Sequence, residues 1–315
     1  MKNNHDLFYK DYYLTDGGLE TTLVFHKGIE LNQFAAFELL NTLEGRQILK
    51  EYFLNYIDIA HKNGLDFILE TPTWRTSSDW GQKMGYGTNR LSEINKHSVS
   101  FFRDFIREFN FPPESFIISG CIGPRGDGYT PGALMTTAEA KVYHQTQIQD
   151  FAYADADLVT GMTINYVDEA VGMVLAARYF GIPVVISFTL ETDGCLPSGE
   201  SLAQAIQTVD QLTEGYATHY MINCAHPSHF RDVLEEADGY WIRRIRGIRA
   251  NASCKSHEEL DNSETLDTGD IHELAQGYRE LKGLLPNLKV IGGCCGTDHH
   301  HLEQICQALF GELVN

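Results

Sequence analysis

Three cysteines have a spacing that suits metal chemistry. Cys294 and Cys295 are adjacent and flanked by glycines, and Cys224 closes an apolar run well before them in the chain. Neighbouring side chains on a strand point to opposite faces, so two adjacent cysteines converge on one ion only where a strand ends and the chain turns. Three thiolates around Zn2+ leave one tetrahedral position open, as is typical of a catalytic site. The pattern therefore predicts a zinc ion that accepts a substrate thiol.

Two other interpretations of the cysteines stay open, namely a disulfide and inert buried thiols. The chain has seven cysteines, an odd number, and the segment Met1 to Asp11 is polar, without the apolar region of a secretory signal. We therefore expect a reducing, cytoplasmic setting, which disfavours a disulfide. Free cysteine also behaves as a small hydrophobe, so cysteines without a cysteine neighbour are expected to be buried and inert. These are Cys121, Cys195, Cys254 and Cys306.

Composition limits the partners of this protein. The chain has 315 residues, 43% of them hydrophobic, with 43 acidic and 24 basic residues and a formal charge of -19. Such a charge repels nucleic acid and anionic membrane surfaces, so we expect neither as a partner. No apolar stretch approaches the roughly 20 residues that a membrane-spanning helix needs. Small molecules are the expected partners, and the oligomeric state is left open.

Eight β-type runs alternate with amphipathic helical stretches along the chain. The predicted strands are Tyr13 to Thr15, Phe67 to Thr71, Phe116 to Gly120, Leu158 to Thr163, Val184 to Thr189, Tyr220 to Cys224, Gly247 to Asn251 and Val290 to Cys294. The predicted helices are Gln47 to Lys62, Arg90 to Phe109, Thr137 to Ala156, Val167 to Phe180, Leu202 to Thr213, Ser228 to Ala237, Asp270 to Leu284 and His299 to Phe310. Thr136 and Asp298 are the expected caps of two of these helices.

This alternation predicts an α/β fold, a single (β/α)8 TIM barrel, for which about 250 residues is typical. A doubly wound open sheet is the alternative. Without a low-complexity linker or an internal repeat, we expect residues 1–315 to form one domain.

The barrel brings the carboxyl ends of its strands to one face, where active sites of this fold lie. Polar residues follow several of these strand ends. They are Asp16, Gly17 and Glu20 after the first strand, Glu70, Thr71 and Thr73 at the second, Asn223 at the sixth and Asn251 at the seventh. Turns after strands are rich in such residues anyway, so turn chemistry is the alternative for each of them.

These motifs together resemble those of the homocysteine S-methyltransferase family. The resemblance runs from about Leu14 to Leu313 and rests on motifs in the expected order at the expected strand ends. They are Asp16-Gly17-Gly18 with Glu20 and Thr21, Thr71 with Thr73, Gly120 with Ile122-Gly123-Pro124, Asn223-Cys224 and Gly292-Gly293-Cys294-Cys295-Gly296. The resemblance implies that Cys224, Cys294 and Cys295 are the zinc ligands and catalytic residues. It also implies a substrate site that includes Asp16, Gly17, Glu20, Thr71, Thr73, Met162 and Asn223.

In that family the zinc binds the homocysteine sulfur, and the methyl group comes from a sulfonium or quaternary ammonium donor. We therefore expect methyl transfer to homocysteine to give methionine, with S-methylmethionine or S-adenosylmethionine as the favoured donor. Aromatic faces can hold such a cation. The candidates in the active-side loops are Trp74, Trp80, Tyr86, Tyr129 and Tyr166, and loop packing is the alternative role for each.

Two departures from the family concern the substrate. Relatives commonly carry a glutamate in the fourth strand that holds the ammonium of homocysteine, and Met162 stands at this position. Either another acid such as Glu20 or Glu70 replaces it, or the acceptor is a different thiol or selenol. The segment Arg249 to Ser253 also differs from the Tyr-Pro-Asn segment of many relatives. A protein that binds zinc or a thiol without catalysis is a further alternative.

Overall fold

Eight parallel strands close into a barrel in which every strand pairs with its neighbours in sequence order, and the first strand pairs with the last. This computed structural model describes residues 7–262 and 265–311. The strands are β1 (Tyr13–Leu14), β2 (Asp66–Glu70), β3 (Phe116–Ile122), β4 (Leu158–Ile164), β5 (Val184–Phe188), β6 (His219–Asn223), β7 (Ile245–Ala250) and β8 (Val290–Gly293). The predicted TIM barrel is confirmed, and the open-sheet alternative is wrong. Residues 1–6 of the predicted polar opening segment, and Leu313 at the end of the predicted resemblance, lie outside the described residues.

Helices alternate with the strands, as predicted, and three short helices are additions to the expected pattern. The helices of the described residues are α1 (Leu19–Thr21), α2 (Leu43–Lys62), α3 (Ser78–Lys83), α4 (Thr88–Glu108), α5 (Thr137–Tyr153), α6 (Val167–Phe180), α7 (Leu202–Thr213), α8 (Pro227–Glu235), α9 (His257–Asp261), α10 (Ile271–Leu284) and α11 (His299–Phe310). The additions α1, α3 and α9 all follow strand ends, where active-side loops lie. No helix among these residues is both long and apolar enough to cross a membrane.

Helix ends are fixed by caps that the sequence partly reveals. Thr136 forms a reciprocal capping box with Glu139 at the start of α5, and the carboxylate of Asp298 accepts from the first-turn amides of α11, so both predicted caps are confirmed. Helix α2 begins four residues earlier than predicted, because Thr42 accepts a hydrogen bond from the backbone amide of Gly45.

The barrel interior is a packed apolar core below the active face. Inward-facing side chains from different strands form one cluster, which includes Ile68, Cys121, Met162 and Met221. Phe8 closes the opposite end of the barrel, with its ring edge against His219. A second, larger cluster fills the layer between strands and helices. Because the interior is filled, only the carboxyl ends of the strands offer room for a substrate.

Candidate metal and active site

The structure brings together the three cysteines that the sequence singles out. Cys224 follows β6, and Cys294 and Cys295 follow β8, and their three sulfur atoms all lie within 4.8 Å of one another. Cys224 is buried, Cys294 is partly exposed and Cys295 is exposed. One side of the sulfur cluster therefore faces solvent, from which a substrate can reach it.

Cys224 and Cys294 are joined in a disulfide, with an S–S distance of 2.15 Å. The sequence disfavoured a disulfide and predicted free thiolates. For Cys224 and Cys294 this prediction is wrong in the form seen here. The physical reason is the close approach of the two strand ends around β7. The Cα atoms of the two cysteines are 5.4 Å apart, which suits a disulfide. Cys295 keeps its thiol.

Cys224 sits in a left-handed backbone conformation, with φ of 52°. Its backbone amide donates to the carbonyl of Arg249, and its carbonyl accepts from the side-chain amide of Asn251 at 3.2 Å and from the hydroxyl of Thr189 at 3.5 Å. A non-glycine residue keeps this conformation only when its surroundings fix it. Asn251, which the sequence places at a strand end, thus helps to hold the cysteine backbone.

The turn after β8 explains how adjacent cysteines reach one place. The carbonyl of Cys295 accepts from the backbone amide of Ala252, and the carbonyl of Cys294 accepts from the hydroxyl of Thr297 at 2.7 Å. Directly after the two cysteines, Gly296 has φ of 77°, a left-handed conformation that suits glycine. The chain reverses direction here, so both sulfurs lie on one side of the turn.

Asn223 links the cysteine cluster to two other strands. Its side-chain oxygen accepts from the hydroxyl of Ser187 at 2.7 Å and from the backbone amide of Thr163 at 3.1 Å. Its side-chain nitrogen donates to the Thr163 hydroxyl at 2.8 Å and lies 3.8 Å from the sulfur of Cys294. Asn223 therefore orients the cysteine side of the site. The sequence did not single out Ser187 for this network, and β-strand alternation on β5 could have placed it inside the barrel.

Arg249 forms a buried ion pair that the sequence did not predict. Its Nη2 lies 2.8 Å from Oδ1 of Asp16, and its Nε donates to the carbonyl of Gly293. The same Nη2 reaches the carbonyl of Gly17 at 3.3 Å, and the hydroxyl of Tyr52 donates to Oδ2 of Asp16 at 3.0 Å. Burial alone would lower the pKa of Arg249, but nearby negative charges, Asp16 foremost, outweigh burial and raise it.

Glu70 is a buried carboxyl group whose charge interacts with both members of this ion pair. Its Oε1 accepts from the hydroxyl of Thr160 at 3.1 Å, while its Oε2 is buried without a hydrogen-bond partner. Burial raises the pKa of Glu70 to about 7, although the charge of Arg249 opposes this. A carboxyl group in such a place is easily protonated near neutral pH.

The two threonines after β2 bond to the neighbouring strand. Their hydroxyls lie 2.6 Å apart; Thr71 accepts from the backbone amide of Cys121, and Thr73 donates to its carbonyl. Both side chains are buried. These contacts favour the turn role for the two threonines, and their predicted role in substrate binding stays a prediction.

Glu20 lies on α1, which packs against the turn that bears the cysteines. The hydroxyl of Thr21 accepts from the backbone amide of Gly296 at 3.3 Å, and a Cβ atom at Gly18 would lie 2.6 Å from the carbonyl oxygen of Cys294. Glu20 is partly exposed. Burial in the site raises its pKa to about 7, with Asp16 adding to this effect, whereas nearby arginines oppose it.

Met162 is almost buried, with 7% of its surface exposed, and belongs to the apolar cluster inside the barrel. Its carbonyl accepts from the indole nitrogen of Trp74 at 3.1 Å. The fourth strand thus presents a thioether, not a carboxylate, immediately below the site.

Arg75 lies between Trp74 and Trp80 and occupies a face of each ring that a cationic donor would use. Its guanidinium carbon is 3.8 Å from one indole centroid and 3.7 Å from the other. Lys83 lies over Trp80 at 3.9 Å. Burial lowers the pKa of Arg75 to about 10. The alternative of loop packing therefore accounts for both tryptophans.

Tyr129 is the aromatic candidate that reaches the cysteines. Its hydroxyl lies 3.5 Å from the sulfur of Cys295, and its ring stacks on that of His257 at a centroid distance of 4.0 Å. Burial lowers the pKa of His257 to about 4, so the imidazole is neutral at physiological pH. The other two tyrosines have packing roles, since Tyr86 donates to Glu38 and the Tyr166 hydroxyl accepts from a backbone amide.

Of the four remaining cysteines, two are buried as expected and two are not. Cys121 and Cys306 are buried, as expected, and burial raises the pKa of both thiols. Cys195 is partly exposed and Cys254 is exposed, because both lie in loops after strand ends rather than in packed elements, so for these two the expectation is wrong.

The three sulfurs fit a zinc ion once the disulfide is reduced. Zn–S bonds of about 2.3 Å place tetrahedral thiolates roughly 3.8 Å apart. The sulfurs of Cys224 and Cys294 must separate from 2.15 Å to reach this spacing, and all three sulfurs already lie within 4.8 Å of one another. Thiolate ligands are also typical of zinc sites. The fold and this cysteine site together define a (β/α)8 barrel with a candidate catalytic metal centre at the carboxyl ends of its strands.

The family follows from comparison with known proteins. The sequence profile of the homocysteine S-methyltransferase family matches residues 13–309. The chain therefore belongs to this family of S-methyltransferases. No curated protein matches the chain.

The fold is similar to that of the homocysteine methyltransferase MmuM from Escherichia coli. The metallated form has a TM-score of 0.72 at 17% sequence identity and covers 95% of this chain and 96% of its own. The oxidised form also has a TM-score of 0.72, at 18% identity, with 94% and 96% coverage, and the apo form has 0.63 at 17% identity, with 95% and 96%. At these identities the likeness establishes the common fold.

Proposed function

We propose that this protein transfers a methyl group from a cationic sulfonium or ammonium donor to the thiol of homocysteine, giving methionine, with Zn2+ held by Cys224, Cys294 and Cys295. The observation that carries the proposal is the convergence of these three sulfurs within 4.8 Å at the active face of a barrel of this family. The proposal takes residues 1–315 as one domain. When bound, the metal supplies the Lewis acidity that keeps a substrate thiol deprotonated near neutral pH.

The residues around the sulfurs prepare the site for that ligand set. Asn223 and Asn251 fix one side of the cysteine cluster through strand β6 and the end of β7, so little reorganisation is needed on binding. Two electrons from a thiol reductant must first open the disulfide, which converts Cys224 and Cys294 to two thiols that then lose their protons to become ligands.

The methyl transfer is a simple displacement reaction. The acceptor sulfur forms a bond to the methyl carbon, and the bond between that carbon and the donor heteroatom breaks. The donor leaves with the electron pair, so a sulfonium becomes a neutral thioether. The formal charge of -19 favours the approach of a cationic donor. We favour S-methylmethionine or S-adenosylmethionine on the resemblance to the family.

A second candidate is the same transfer to another thiol or selenol acceptor. The observation that favours it is Met162, which presents an apolar thioether where relatives carry a carboxylate. An ammonium left against this side chain would be unpaired, which is costly in a buried site.

The test is a matrix of donors and acceptors. Reduced, zinc-loaded protein is incubated with S-methylmethionine, S-adenosylmethionine or betaine and with homocysteine, cysteine or a simple thiol, and products are measured by mass spectrometry. We expect methionine from homocysteine, and loss of turnover in Cys295→Ala. Cys254→Ala, which removes an exposed thiol outside the cluster, is the matched control and should keep activity. If none of the acceptors is methylated, the protein is instead a non-catalytic zinc-binding or thiol-binding protein.

A further inference from the structure

A site for an amino-acid thiol must neutralise an ammonium group, and the acidic side chains at this face differ in whether they can do so. Asp16, Glu20 and Glu70 all lie close enough to influence the same arginine, Arg249. Their hydrogen bonds and burial distinguish them: Asp16 is already in an ion pair, Glu70 is buried, and Glu20 has no side-chain hydrogen-bond partner among the described residues.

Asp16 is already paired. Its Oδ1 lies 2.8 Å from the guanidinium of Arg249, and its Oδ2 accepts from the hydroxyl of Tyr52. Its negative charge is therefore largely matched inside the protein. A substrate ammonium would have to compete with a buried guanidinium for the same oxygen.

Glu70 is sealed. One oxygen accepts from Thr160, and the other is buried and has no contact with solvent. Glu70 is the last residue of β2, and its carboxyl is held toward β4 by the hydroxyl of Thr160. With 6% of its surface exposed, Glu70 is less accessible to a substrate ammonium than the partly exposed Glu20.

Glu20 is free. It is partly exposed, and no side chain among the described residues hydrogen-bonds its carboxylate, which accepts only from its own backbone amide. The neighbouring residues Gly18 and Thr21 contact the turn of Cys294 to Gly296, so Glu20 is beside the cysteine cluster.

We propose that Glu20 binds the ammonium group of an amino-acid thiol acceptor and so determines the specificity of this site. This inference rests on the proposed function, which it deepens by assigning the group that recognises the acceptor. Met162 cannot make this contact, because it is apolar and lies in the packed interior. Burial foremost, with Asp16 adding to it, raises the pKa of Glu20 although Arg75 and Arg249 oppose this, and an ammonium beside the carboxylate would stabilise its charged form.

The experiment compares two acceptors that differ only in the amino group. Homocysteine and 4-mercaptobutyrate share the thiol, the chain length and the carboxylate. Their dissociation constants are measured by calorimetry on reduced, zinc-loaded protein without a donor, for the native chain and for Glu20→Gln. We expect Glu20→Gln to weaken homocysteine about tenfold or more, through loss of a charge-assisted hydrogen bond. Binding of 4-mercaptobutyrate should change less than twofold.

The matched control is Glu191→Gln, in the loop after β5 on the same face, where burial also raises the pKa of a partly buried carboxyl. It should leave both constants unchanged. Glu20→Asp, which keeps the charge, should recover part of the homocysteine affinity, and circular dichroism checks that each variant is folded.

The outcomes separate the two proposals. Equal weakening of both acceptors by Glu20→Gln, or no weakening of homocysteine, would overturn the role of Glu20. Tight homocysteine binding that depends on Glu20, together with no methyl transfer from any donor, would retain that role and reject the proposed function. Failure of the native protein to bind homocysteine would reject both.

Discussion

Arg249 at the end of β7 is paired with Asp16, which follows β1, at 2.8 Å across the mouth of the barrel. The pair is buried and sits beside the turn that carries two of the cysteines, because Nε of Arg249 also donates to the carbonyl of Gly293. It ties the first strand to the last two and thereby fixes the strand ends on which the site is built.

Breaking this pair should be costly. Arg249→Leu leaves the carboxylate of Asp16 buried without its cation, and the loss of one partner of a buried pair costs roughly 3–5 kcal/mol in the free energy of unfolding. Arg178→Leu is the control, since Arg178 and Glu214 form an exposed pair at 2.8 Å and such pairs contribute at most about 1 kcal/mol. Urea denaturation followed by circular dichroism measures both. Similar losses in the two variants would show that the buried pair has no special role.

The fold was predictable because its signals are local. Each strand, such as Val184–Phe188, is a short apolar run between turn residues. The amphipathic helices instead repeat their apolar residues about every 3.6 positions. The predicted strand limits agree with the structure within a few residues. The cysteines were predictable for the same reason, since a glycine-flanked pair at a strand end is visible in one stretch of sequence.

The contacts that shape the site were not predictable, because they join residues far apart in sequence. Arg249 meets Asp16 only when β8 pairs with β1 and closes the barrel. Trp74 and Trp80 were expected as candidates for binding the donor. That Arg75 stacks between them could not be predicted, because the position of Trp80 depends on helix α3, which the sequence pattern did not reveal. His301 is a further example, because it is buried through hydrogen bonds to Asp298 and to the distant carbonyl of Thr268.

Metal binding should depend on the redox state of the cysteines. After reduction we expect about one zinc per chain by elemental analysis, and little in the oxidised protein, because a disulfide removes two of three thiolate ligands. The variant with Cys224, Cys294 and Cys295 all changed to Ala should bind none, whereas Cys254→Ala should bind as the native chain does. Zinc retained stoichiometrically by the triple variant would place the metal elsewhere.

Chelation of that zinc should leave the protein folded. The barrel has its own apolar core and needs no metal to form it. We therefore expect a cooperative thermal transition with and without a chelator, with a small downward shift from the loss of ligand binding. Loss of the transition on chelation would indicate a structural metal instead.

Acid should destabilise the protein through His219. This side chain is 1% exposed and neither ring nitrogen has a partner, and burial, followed by the charges of Arg246 and Arg244, lowers its pKa to about 3. The unfolded state, with a pKa of about 6.5, binds the proton more readily, so stability is full above pH of about 6.5 and falls as the pH drops toward 3, by about 1.4 kcal/mol per unit. Urea midpoints at pH 7 and pH 5 should differ less in His219→Leu than in the native chain. The exposed His300→Leu should behave as the native chain, and an equal slope in all three would exclude His219 as the cause.

A carboxylate at position 162 should restore homocysteine affinity when Glu20 is removed, but should increase that affinity little when Glu20 is present. In the native background Met162→Glu places a new charge in an apolar cluster, which costs desolvation energy, while Glu20 already holds the ammonium. We expect less than a threefold gain in homocysteine affinity and a lower melting temperature. In the Glu20→Gln background the same change should restore about tenfold, because a charge-assisted hydrogen bond contributes roughly 1.5 to 3 kcal/mol. Calorimetry on the four proteins forms a double-mutant cycle, with Met162→Gln as the uncharged control. Equal gains in both backgrounds would mean that the two carboxylates act independently, and no gain in either would mean that position 162 does not face the ammonium.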